Sequence, residues 1–78
     1  MPENINIEIR CFATLGKYAP PENTLTLPPR STVRDVIRIL GLPDQEVRIM
    51  FINAEQADRE STLRDGDRVG FFPAVGGG

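Results

Sequence analysis

The chain has 78 residues, with 9 Lys+Arg against 11 Asp+Glu, a net charge of −2 and no histidine. That length bounds it to one domain burying only about 60% of the surface its unfolded form exposes, which favours a carrier, a binding module or a subunit over a self-sufficient enzyme. The lack of histidine excludes Ser-His or Cys-His acyl transfer and histidine proton transfer, and basic residues scattered from Arg10 to Arg68 give nucleic acid no concentrated footprint.

Along the chain, Met1-Pro2-Glu3-Asn4 has no basic run followed by an apolar one, so no signal peptide is expected. Ile5, Ile7, Ile9 and Cys11 then alternate with Asn6, Glu8 and Arg10. This period of two predicts a half-buried strand with the isoleucines facing the core. Cys11, the one cysteine, is expected there as a buried apolar filler. Alone, it forms no internal disulfide, and without histidine zinc lacks its usual ligands.

Gly16, Pro20 and Pro21 punctuate a loop over residues 13–23. Leu25 and Leu27 between Thr24 and Thr26 predict a second short strand, ended by Pro28-Pro29 and pairing with the first. Thr32, with Asp35 three residues on, is an N-cap with an acidic first turn. Val33, Val36, Ile37 and Leu40 share one face of the helix that follows, and Gly41 with Leu42-Pro43 stops it.

A third strand is expected over residues 47–53, where Val47, Ile49 and Phe51 form one parity and Met50 and Ile52 the other. Residues 53–61 are polar, with room for a short edge strand near Gln56-Ala57. Asp65-Gly66-Asp67 reads as a tight turn, and its two carboxylates as turn chemistry, with no metal assigned. A last strand over residues 68–72 closes at Pro73. One helix on a mixed sheet of four to five strands is an α+β, β-grasp (ubiquitin-like) arrangement, expected over residues 1–73. The longest apolar stretch, residues 49–52, is far too short to span a bilayer, so a soluble, cytoplasmic protein without membrane contact is expected.

After Pro73 come Ala74, Val75, Gly76, Gly77 and Gly78. Glycine loses the most backbone entropy on ordering, so fold stability does not explain three in a row. Such residues make a thin, flexible tail able to enter a narrow channel, although a frayed end would look the same. The run Asp65-Gly66-Asp67-Arg68-Val69-Gly70-Phe71-Phe72-Pro73-Ala74-Val75-Gly76-Gly77-Gly78 decides between them. It resembles the C-terminus of the small subunit of molybdopterin synthase, among the ubiquitin-like sulfur carriers of the MoaD/ThiS family. That end typically reads D-G-D-x-V-x-F-F-P-P-V-x-G-G. Ile7, Ile9, Phe12, Ala13, the helix from Thr32 and Ile52-Asn53 extend the likeness more weakly. Ala74 departs from a common proline, and Gly76 from a common Thr, Ala or Ser.

The resemblance implies that a ubiquitin-activating-like adenylyltransferase uses ATP to adenylate Gly78. A persulfide sulfur donor then converts it to a thiocarboxylate, with Gly77 as the second thin position. The large synthase subunit accepts the tail and catalyses sulfur transfer to a pterin precursor. The general acids and bases then belong to partners, and no cofactor is bound by this chain. A thiazole-pathway carrier, a tungsten-cofactor carrier, a modifier joined to lysines through Gly78 and a non-covalent β-grasp module are the competing readings.

A docking surface is also expected. Val69 and Phe71 should face the core and leave Phe72 outward. Phe72, Pro73, Val75 and Gly76, with Met50 and Ile52, are the expected partner contacts, rimmed by Arg10 and Arg48. The competing expectation is that the segment from Asn53 to Leu63 folds over this face.

Overall fold

The computed structural model describes residues 3–73. Alternating isoleucines build β1, Ile5–Cys11, with Ile5, Ile7 and Ile9 buried and Asn6 and Arg10 exposed. Cys11 departs from expectation. It ends the strand and is half-buried against the core, and that partial burial pushes its thiol above the ordinary value. The segment expected as a loop forms two 3-10 turns instead, Ala13–Tyr18 and Pro21–Asn23. Leu15, wholly buried, pins the first to the core.

Strand β2, Thr24–Leu27, runs antiparallel to β1, with Leu27 opposite Ile5 and Leu25 opposite Ile7. The helix α1, Val33–Leu40, follows its sequence signals closely. The Thr32 N–H donates to the Asp35 carboxylate at 2.9 Å, while the Thr32 hydroxyl accepts from the Asp35 N–H. This capping box satisfies two donors the first turn leaves orphaned. At the other end Gly41 takes φ +72, a left-handed conformation in which its N–H reaches the carbonyls of Ile37 and Arg38. Val33, Val36 and Ile37 are buried, with Leu40 packed at the edge of the core.

Strands β3, Val47–Ile52, β4, Glu55–Ala57, and β5, Arg68–Pro73, complete one sheet in the order β2-β1-β5-β3-β4. Strands β1 and β5 are parallel, and the other pairings antiparallel. A mixed five-stranded sheet with one main helix over one face is the expected β-grasp. The Asp65-Gly66-Asp67 turn is held by its own carboxylates. Asp65 accepts from the Asn6 N–H at 2.7 Å, and Asp67 accepts from the Arg64 N–H and the Asn53 amide, each at 2.8 Å. Arg59 ties the polar segment to the sheet by donating to the Asp44 carboxylate and to the carbonyls of Asp44 and Val47.

One irregularity changes which residues face where. Val47 pairs with Pro73 and Ile49 with Phe72, so Arg48 is an extra residue in β3. Such a bulge reverses side-chain parity. Val47 and Met50 therefore both point to the core, at 2% and 4% exposure. Ile52 packs half-buried against the same core. The expectation that Met50 and Ile52 face outward is thus corrected: strict alternation from Val47 does not survive the bulge. Pro73, expected as a partner contact, is buried beside Val47.

Candidate functional site at the open face of the sheet

The face of the sheet away from α1 carries aromatic rings. Phe72 points there as expected and is half-buried. The Phe12 ring stacks on it, centroids 4.3 Å apart and 6° from parallel, and Phe51 meets it edge-on at 5.6 Å. Both are favourable aromatic geometries. Phe12 is held beside β5 because its N–H donates to the Phe71 carbonyl at 3.1 Å, one step beyond the β1–β5 ladder. Gly70 lies beneath the stack, where a Cβ would stand 3.5 Å from the Phe12 ring. Alanine would just fit there, and anything larger would displace the ring.

Arg10, Arg68 and Ala54 join Phe12, Phe51, Gly70 and Phe72 around a shallow hollow of about 210 Å³. Glu8 bonds both arginines, Arg10 at 2.8 Å and Arg68 at 3.4 Å. The Arg10 hydrogen bond, helped by Arg68, holds the Glu8 carboxyl below its ordinary value despite some desolvation. Two cations thus share one anion at the rim, leaving it positive. Ile49, 41% exposed, extends the apolar face toward the bulge. Arg10 stands at the rim as expected; Arg48 is exposed at the bulge and does not line the hollow. Of the segment 53–63 only Ala54 lines it, so that segment leaves the face open.

Sequence reasoning missed Phe12, Phe51 and Ile49. Phe12 was legible, since it continues the outward parity of Glu8 and Arg10 by one residue. The other two needed the bulge. Val75, Gly76, Gly77 and Gly78 lie outside the described residues, which end as β5 does, at Pro73. Among the described residues no group of three His, Cys, Asp or Glu side chains is placed to hold a metal ion. No helix there is long and apolar enough to cross a membrane.

The sequence model of the ThiS family matches residues 9–78. Three solved structures share the fold. A Pyrococcus furiosus protein assigned as molybdopterin converting factor subunit 1 is 24% identical, covering 91% of this chain and 99% of its own, with a TM-score of 0.68. The small archaeal modifier protein 1 of Haloferax volcanii is 22% identical over 91% of this chain and 99% of its own, also at 0.68. A further H. volcanii protein, solved in solution, is 29% identical over 96% of this chain and 88% of its own, again at 0.68. No curated protein matches the chain in sequence.

Proposed function

The chain belongs to the ThiS family of ubiquitin-like sulfur carriers, and from that premise we propose that it carries sulfur on the C-terminal carboxyl of Gly78 for building a molybdenum or tungsten pterin cofactor. A carboxylate is a poor electrophile. An adenylyltransferase of the ubiquitin-activating kind converts it, with ATP, to the acyl-adenylate. The terminal sulfur of a persulfide donor displaces AMP to give an acyl disulfide, and a second thiol attacks the donor's sulfur, forming a disulfide with it and releasing the thiocarboxylate. The large subunit of a molybdopterin synthase then receives residues 74–78 and transfers the sulfur.

This chain's own contribution is positioning. The observation that supports the reading most directly is the placement of β5. It ends in Phe71-Phe72-Pro73 at the middle of the sheet, beside an open aromatic hollow. A partner that seats an apolar side chain on Phe12 and Phe72, with a carboxylate toward Arg10 and Arg68, takes up the terminal segment in a fixed direction. Anchoring a reacting group in this way raises its effective concentration without any catalytic side chain.

The test is intact mass. With the activating enzyme, ATP and a sulfur donor, the chain gains the difference between one sulfur and one oxygen. An unchanged mass under conditions that convert a known carrier defeats the proposal. A second reading, a modifier joined to lysines of other proteins, is supported by the likeness in fold to the small archaeal modifier protein. Isopeptide adducts in cells, with no thiocarboxylate, are its signature.

A further inference from the structure

The two edges of the sheet are not alike. Strand β4 is three residues long and begins with exposed Glu55, a short and charged edge of the kind that resists pairing with another chain. Strand β2 has none of these guards. Its residues Thr24-Leu25-Thr26-Leu27 include no charge and no proline, and four successive residues pair with β1 without a bulge. One side of β2 is thus bonded to β1, and the other is open among the described residues.

The two ends of β2 carry opposite chemistry. Of the three large apolar side chains exposed among the described residues, Phe12 and Ile49 belong to the aromatic face, and the third, Ile39 at 52%, stands on α1. Ile39 shares a hollow of about 310 Å³ with Pro28, Pro29, Arg30 and Arg38, where β2 leads into the helix. Arg38 is paired with Asp35, whereas Arg30 makes no ion pair among the described residues. This end is partly apolar with a basic rim. At the other end, Pro20 and Pro21 precede Glu22, which is exposed and likewise makes no ion pair among the described residues.

We infer that a second copy of this chain pairs on β2, antiparallel about a twofold axis, joining two five-stranded sheets into one. Antiparallel pairing keeps leucines opposite leucines and threonines opposite threonines. With Thr26 on the axis, Leu25 meets the second copy's Leu27, and Glu22 comes to the end where the second copy's Arg30 stands. Pro20 and Pro21 then meet the hollow at Ile39. Each contact occurs twice, so the assembly closes at two copies. Pro28 and Pro29, with no N–H to donate, stop the ladder at the end of β2. Because β1 separates β2 from β5, the aromatic face stays open in both copies, and the pairing is independent of the sulfur chemistry proposed above. Four residues a side is little beside the about 800 Å² per partner of a standard interface, so the dimer is weak, and its exposed charge pairs make it salt-sensitive.

Sedimentation equilibrium of the full chain at low salt reads it. From micromolar to millimolar concentration the mean mass should climb from 8.7 kDa toward twice that value and no further. Glu22→Arg and Arg30→Glu each set like charges together at both ends of the ladder, and each should weaken the dimer about tenfold. The double variant restores opposite charges and should recover the parent's affinity, with thermal melts confirming that every variant is folded. A parent chain that stays monomeric at millimolar concentration overturns the inference and leaves the edge to a different extended chain. So do single reversals without effect, a double variant that stays weak, or growth beyond two copies. Association lost in Phe72→Asp overturns it too, by moving the contact to the aromatic face.

Discussion

Beneath α1 the sheet presents Ile7, Ile9, Val69 and Phe71, none more than 2% exposed, while its other face presents Ile49 and Phe12 at 41% and 40%. Both faces are apolar, yet only the first is accounted for by folding. A half-covered antiparallel sheet ordinarily turns polar residues to water, and here the outer face near β5 does not. Its rings stack on one another and remain accessible, with two arginines sharing one glutamate beside them. The difference separates residues that hold the domain together from those the core does not use. It makes neighbours in sequence, Phe71 and Phe72, opposite in kind.

The sharpest way to break this comparison is to truncate each neighbour. Phe71→Ala opens a cavity in the core and should cost about 3–5 kcal/mol, much of the stability of a domain this size; urea denaturation reads it. Phe72→Asp should leave the fold intact, losing about 1 kcal/mol with its aromatic contacts, while weakening binding to the activating enzyme by about 2 kcal/mol or more, as hot-spot residues do. Calorimetry of the complex beside a thermal melt separates the two effects. If Phe72→Asp unfolds the domain as Phe71→Ala does, the two faces do not differ and the docking surface is core.

Smaller effects sharpen the covered side. Thr32→Ala removes half of the capping box and should cost about 1 kcal/mol, lowering the melting temperature by about 4–8 °C with partner binding unchanged. The smallest effect is a pH dependence. The Asp35 carboxyl is held below its ordinary 3.8 chiefly by the Thr32 backbone N–H, against some desolvation, with the Thr32 hydroxyl and Arg38 adding to it. Its folded value is depressed, so its contribution is full above 3.8 and is lost as pH falls through the lowered folded value. Urea midpoints at about pH 5 and about pH 2.5 should show that loss in the parent chain, and a smaller one in Asp35→Asn.

How far the sequence could be read follows the same division. The covered side was legible because it obeys local periods: alternation set Ile5, Ile7 and Ile9 inward, and Thr32, Asp35 and Gly41 bounded α1 through caps that depend on near neighbours alone. The open side was half legible. Phe72 followed from the parity of Val69 and Phe71. Ile49 and Phe51 did not follow from Val47, because Arg48 is inserted into β3 and no local signal marks a bulge. Phe12 was passed over although the parity of Glu8 and Arg10 pointed it outward, because it lies just past the strand and is fixed there by a hydrogen bond to Phe71. Arg59 escaped for a similar reason: its three acceptors lie 12 to 15 positions away.

The last strand among the described residues is also the central one of the sheet, with β1 on one side and β3 on the other. Tension applied beyond Pro73 therefore runs along both ladders, loading their hydrogen bonds in shear so that many must fail together. An edge strand under the same load would peel away bond by bond. A pull of this kind therefore meets the whole sheet at once, and the domain behind serves as a mechanical stop.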